Sequence, residues 1–168
     1  MNQIEKIGIL GVGNLLLADE GFGVHVIERL QQKYRFPPTV ELLDGGTAGI
    51  MLAPFMEDKD ILFVLDVVNL DDKPGSIHQF SNEDVCSGNI QTRMSPHQVG
   101  LLEILDLCRL RGQAPDRVEM ITVVPADLST KIGLSSPLEV AVDEVIAVLL
   151  EKLEKISVFP EPLAARTE

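Results

Sequence analysis

Three residues that can bind a metal stand at places where a chain commonly presents polar side chains. Glu20 lies at the start of the first helical pattern, Asp66 directly follows the apolar run Ile61–Leu65, and His97 opens a later helix within Ser95-Pro96-His97-Gln98. They lie 46 and 31 residues apart, so no single helix groups them. Two carboxylates and one imidazole form an oxygen/nitrogen donor set that suits a divalent transition metal with open coordination positions. These donor types do not choose between nickel and zinc. A first-turn histidine is kept neutral by the positive helix end, which leaves its ring nitrogen able to bind metal.

A second chemical segment is Asp44-Gly45-Gly46-Thr47-Ala48-Gly49. Two glycines after a strand allow a sharp turn and a close approach of ligand backbone. Thr47 can cap a following short helix. Gly49 costs about 1 kcal/mol in a helix interior. The segment reads equally as a strand-to-helix turn and as a loop that contacts a peptide or ligand.

Gly11-Val12-Gly13 invites a dinucleotide reading, which its context rejects. That fingerprint needs a third glycine and a helix N-terminus facing the pyrophosphate. Leu16 occupies the third position, and Asp19-Glu20 would set two negative charges against a phosphate. Asp44 also lies farther along the chain than the usual ribose-binding acid. No serine or cysteine has the setting of an activated nucleophile. Ser95 is placed as a helix cap, Cys86 has no histidine partner in view, and Cys108 falls in an apolar helical pattern as a small core residue. His25 lies on the polar side of the first helix, and His78 lies on an edge strand away from the other candidates.

These residues need a scaffold that gathers separate segments at one edge. The strand patterns are Ile7–Val12, Val40–Leu43, Ile61–Leu65, Ser76–Phe80 and Val118–Val124. Helical spacing follows in Phe22, Val26, Ile27 and Leu30, and again in Val142, Val145, Ile146, Leu149 and Leu153. A short helix is expected from near Thr47, kinked or ended by Pro54. Capping signatures stand at Ser95–Gln98 and Ser136–Glu139. Residues 81–94 read as a polar loop. The alternation predicts an α/β protein: a three-layer α/β/α sandwich around a twisted, mostly parallel (mixed) five-stranded sheet. One domain over residues 1–156 and a flexible tail over 157–168 are expected. Chemistry in such folds collects beyond the carboxyl ends of the strands, where Glu20, Asp44 and Asp66 would all stand.

Composition narrows the partners. The chain has 168 residues, 14 Lys+Arg against 26 Asp+Glu, and a formal net charge of −12. Only 4% of residues are aromatic. That balance argues against nucleic acid and anionic membrane surfaces. No apolar run approaches the ~20 residues of a membrane span, and no secretory signal is visible. Two cysteines, Cys86 and Cys108, with no C-x-x-C spacing fit a reduced, cytoplasmic protein.

Taken together, Gly11-Val12-Gly13-Asn14 with Asp19-Glu20, the run Asp44–Gly49, Asp66 after its strand, and Ser95–Gln98 resemble the hydrogenase maturation endopeptidases. The order and spacing of these motifs span most of the chain without departure. The resemblance implies a mixed five-stranded sheet between helices. It implies an endopeptidase that removes a short C-terminal peptide from the nickel-loaded large-subunit precursor of a [NiFe]-hydrogenase. Glu20, Asp66 and His97 would contact the nickel, which the precursor supplies. The Asp44–Gly49 run, with Gly45, Gly46, Thr47 and Gly49, would recognise substrate, and Asp44 would matter for processing. Metal-assisted attack by water then replaces a protein nucleophile, with Asp44 orienting the water or the peptide. Two other readings stay open here: a nickel-precursor checkpoint or chaperone that does not cleave, and a hydrolase carrying its own zinc.

Overall fold

The computed structural model describes residues 5–86 and 96–164, with side chains over 5–85 and 100–164. In chain order the elements are β1 (Ile7–Val12), α1 (Phe22–Lys33), β2 (Tyr34–Arg35), β3 (Val40–Gly46), α2 (Ala53–Glu57), β4 (Ile61–Val67), β5 (Ile77–Phe80), α3 (Asn82–Cys86), α4 (Pro96–Leu110), β6 (Arg117–Val123), α5 (Ser136–Lys155) and β7 (Glu161–Pro162). Two 3-10 turns, Ala18–Gly21 and Gly49–Leu52, precede α1 and α2.

β1 and β4 are buried at every position, so both of their faces need cover. The sheet order is β3-β1-β4-β6-β5. The first four strands are parallel and β5 runs antiparallel on β6, which is the expected mixed five-stranded sheet. Ile9, Phe63, Leu65 and Ile121 face one apolar layer with α1 and α5. Leu10, Leu62, Val64 and Met120 face the other, with α2, α3 and α4. Period-two alternation within each strand divides these two sets. In α5, Leu138, Val142, Val145, Leu149 and Leu153 recur at helical spacing and are buried. Among the described residues no helix is long and apolar enough to cross a membrane.

Several local expectations are corrected. Glu20 lies in the 3-10 turn before α1 rather than in that helix. β4 extends to Val67, so Asp66 is part of the strand. The turn after β3 starts at Gly49 without a Thr47 cap, and Pro54 occupies the first turn of α2 instead of ending a helix. Proline lacks only an N–H that a first turn leaves unused. Part of the segment read as a polar loop is helical, as α3, and Ser95 lies outside the described residues. The N-cap of α5 is Ser135, one residue before the expected capping box, and its hydroxyl does not cap the helix. Beyond α5, β7 pairs with β2, and the Leu163 N–H donates to the Lys33 carbonyl at 2.8 Å.

Candidate functional site

Parallel strands end on the same side, and their register sets what stands there. Gly11 of β1 is paired with Asp44 of β3 on one side and Leu65 of β4 on the other. Asp66 is the next residue of β4 and is paired with Thr122 of β6. Asp44 and Asp66 therefore lie within one residue of a common row, two strands apart. At ~4.8 Å per strand step this separates their backbones by about 10 Å.

Asp44 is exposed, and its Oδ1 accepts the Gly46 N–H at 2.9 Å. That bond tightens the turn as Gly46 enters positive φ (+44°), a conformation that glycine adopts without strain. The Gly13 N–H donates to the Gly46 carbonyl at 3.0 Å, which ties the loops after β1 and β3 together. Asp66 is only 2% exposed, and one of its carboxylate oxygens accepts the Val67 N–H at 2.7 Å.

Glu20 reaches the same edge by backbone packing. A Cβ on Gly13 would stand 1.8 Å from the Glu20 carbonyl oxygen, so only glycine admits this contact. The Ala18–Gly21 turn also touches β4, the strand that carries Asp66. The glycines of Gly11-Val12-Gly13 thus serve close packing of the turn and α1 against the strands. Gly11 lies against the Gly23 carbonyl in the same way.

His97 is in the first turn of α4, and its side chain lies outside the described ones. Among the described residues, no three His, Cys, Asp or Glu side chains cluster as a metal site. The placement of α4 is informative in itself. A cleft of about 170 Å³ lies between Val12, Gly46, Thr47 and Gly49 on one wall and Gly100 and Ile104 on the other. It continues over Ile50 and Leu107. The first turns of α4 therefore stand beside the carboxyl ends of β1 and β3. Gly45 packs beneath, where a Cβ would meet Leu10 at 2.7 Å. The edge thus combines exposed and buried carboxylates with an apolar cleft.

Three other residues resolve differently. Cys108 is fully buried, and burial, with Glu57 nearby, pushes its thiol above the ordinary value. Such a thiol is a poor nucleophile. His25 faces Glu28 at 3.6 Å, and His78 pairs with Asp72 at 2.9 Å on β5.

Sequence reasoning missed the work done by Asp19. It is fully buried, and its Oδ2 accepts the N–H groups of Ala126 and Asp127, both at 2.8 Å, and the Ser135 hydroxyl at 2.8 Å. Its Oδ1 accepts the Ser135 N–H at 2.7 Å. Three of these donors are backbone groups more than 100 residues away, so residue type gives no signal for them.

Comparison with known proteins agrees with the sequence resemblance. A family model described as hydrogenase maturation protease matches residues 24–152. The chain is 36% identical over 161 residues to the hydrogenase 2 maturation protease of Escherichia coli K12, covering 95% of this chain and 98% of that one. It is 40% identical over 149 residues to the hydrogenase expression/formation protein HoxM of Azotobacter vinelandii, covering 88% and 72% respectively. Among solved structures it is similar to the hydrogenase maturating endopeptidase HybD from E. coli. The TM-score there is 0.87 at 36% identity, with 94% of this chain and 97% of that one covered.

Proposed function

Because this chain belongs to the hydrogenase maturation protease family, we propose that it removes the C-terminal peptide from the nickel-loaded large-subunit precursor of a [NiFe]-hydrogenase. The observation that carries this reading is the convergence at one sheet edge. Asp44 and Asp66 lie within one residue of a common row, the turn bearing Glu20 touches the same strand as Asp66, and the first turns of α4 flank that edge across a cleft.

In this reading Glu20, Asp66 and His97 contact the nickel of the precursor. Two carboxylates and an imidazole are ordinary donors for such an ion. The nickel is cargo of the substrate and not a resident cofactor, so the enzyme acts only on a filled precursor. The extended C-terminal segment lies along the cleft against Gly46, Thr47 and Gly49, with Gly45 packed beneath. Asp44, exposed at the carboxyl end of β3, orients the attacking water or the peptide. The nickel supplies polarisation of the scissile carbonyl or of that water. The buried thiol of Cys108, pushed above its ordinary value by burial, takes no part as a nucleophile in this reading.

The test is the intact mass of a purified precursor after incubation with the protein. Loss of a C-terminal peptide from nickel-loaded precursor, with nickel-free precursor left whole, is the expected result. His97→Ala should lose this cleavage. A stable complex with no mass loss would make the protein a non-cleaving checkpoint, and equal cleavage of nickel-free precursor would remove the nickel requirement.

A further inference from the structure

Asp19 has no place in the chemistry above, yet it is fully buried and its carboxylate accepts four hydrogen bonds. Its four accepted hydrogen bonds all come from the segment between β6 and α5. The turn answers with its own backbone. Ala18 N–H donates to the Lys131 carbonyl at 2.7 Å, and Asp19 N–H donates to the Asp127 carbonyl at 3.0 Å. Lys131 N–H in turn donates to the Leu16 carbonyl at 3.0 Å. Ala18 is held at a φ of +46°, a left-handed conformation that a residue with a Cβ adopts only when its surroundings impose it.

A buried carboxylate is a poor choice if the only need is a filled core. Well-packed apolar groups of similar volume commonly serve stability as well or better. What four donors on one carboxylate provide is a fixed position. The residue so fixed is next to Glu20, whose carbonyl is pressed on Gly13 from the other side. The backbone on the N-terminal side of Glu20 is clamped to the loop after β6, and its own carbonyl is clamped to the end of β1.

We infer that Asp19 is a positioning residue: by locking the segment 126–135 onto the Ala18–Gly21 turn, it holds Glu20 in register with the edge that carries Asp66. This rests on the proposed contact of Glu20 with the nickel of the precursor. Aspartate is required because every partner is a donor. Asparagine would turn an N–H₂ toward at least one of them.

The experiment compares the affinity of the full-length protein for purified precursor with and without nickel. The parental protein should bind the loaded form more tightly. Asp19→Asn should cut that preference at least fivefold and leave affinity for nickel-free precursor within about twofold. A general folding defect would instead weaken both. Combining Asp19→Asn with Glu20→Gln should give the same preference as Glu20→Gln alone, because the first acts through the second. Should Asp19→Asn not fold, Ser135→Ala carries the test: it removes only the hydroxyl donor, and the preference should fall about threefold. Full preference in folded Asp19→Asn, or in Ser135→Ala if that variant is needed, overturns the inference when Glu20→Gln has lost it. Full preference in Glu20→Gln, or none in the parental protein, overturns the nickel contact of Glu20 and the positioning role with it.

Discussion

Gly23 of α1 sits directly on the carbonyl of Leu65 in β4: a Cβ on Gly23 would stand 2.1 Å from that oxygen. The contact brings the first turn of α1 onto the strand immediately before Asp66. It also explains why this helix can start so close to the strand ends. Neither partner atom belongs to a flexible side chain, so the clash from any larger residue falls on backbone.

Gly23→Ala should therefore destabilise the fold by about 2–3 kcal/mol, at the upper end of ordinary overpacking. The gain in helix propensity, about 1 kcal/mol, is too small to offset it. Urea unfolding of the variant is the measurement. A midpoint equal to the parental one would show that α1 can withdraw from β4 at little cost.

Asp44 should behave oppositely. It is exposed, and its contact with the chain is an accepted N–H from Gly46, a bond that an asparagine carbonyl can also accept. Asp44→Asn should melt within about 0.5 kcal/mol of the parental protein, as ordinary surface changes do. Cleavage of loaded precursor should fall by roughly a hundredfold, a loss within the usual range for acid–base groups. Parental cleavage rates in the variant would remove Asp44 from the chemistry.

What could be read in the sequence follows from what repeats locally. The runs Ile7–Val12 and Ile61–Leu65 announce buried parallel strands, and the spacing of Val142, Val145 and Leu149 announces a covering helix. The placement of Glu20, Asp44 and Asp66 near one edge was legible because strand ends in such sheets gather there. The clamp of Asp19 was not, because its partners are mostly main-chain N–H groups brought in by tertiary folding. The pairing of β2 with β7 was hidden for a related reason. Two residues a side carry no period, and Pro162 argues against a strand until the edge position is known. Gly13 stood out in the sequence as part of Gly11-Val12-Gly13. Its true partner, the Glu20 carbonyl, is again a backbone atom.

Acid should reveal a structural pair far from the site chemistry. Glu119 of β6 is largely buried, and burial alone would raise its carboxyl. Hydrogen bonds from Lys152 (2.5 Å) and Arg117 outweigh it and hold the group below its ordinary value of 4.5. A depressed carboxylate stabilises the fold above its unfolded value and loses that contribution as pH falls through the folded one. Glu119→Gln should cost about 1.5–3 kcal/mol at pH 7, in the range of hydrogen bonds to charged groups. The gap to the parental protein should narrow steadily below about pH 4.5. Denaturant melts at pH 7 and pH 3 decide it; a gap that does not change with pH would show that shape, not charge, is what Glu119 contributes.

The cleft offers a cleaner separation of folding from substrate binding. Gly100 lies in the interior of α4, and nothing stands within 4 Å of where its Cβ would be. A glycine there weakens the helix for no packing reason that the fold supplies. Gly100→Ala should stabilise the protein by about 0.5–1 kcal/mol, the usual difference between these residues in a helix. Gly100→Leu keeps much of that helix gain but projects a side chain into the space of about 170 Å³ opposite Gly46, Thr47 and Gly49. If the C-terminal segment of the precursor lies in this cleft, KM should rise about tenfold in Gly100→Leu with kcat nearly unchanged, the signature of lost uniform binding. The two variants together separate the causes. Higher melting temperature in both, with weaker substrate binding only in the leucine variant, assigns the cleft to the peptide. Parental KM in Gly100→Leu would move the peptide elsewhere on the edge and leave Gly100 as a helix defect without a function.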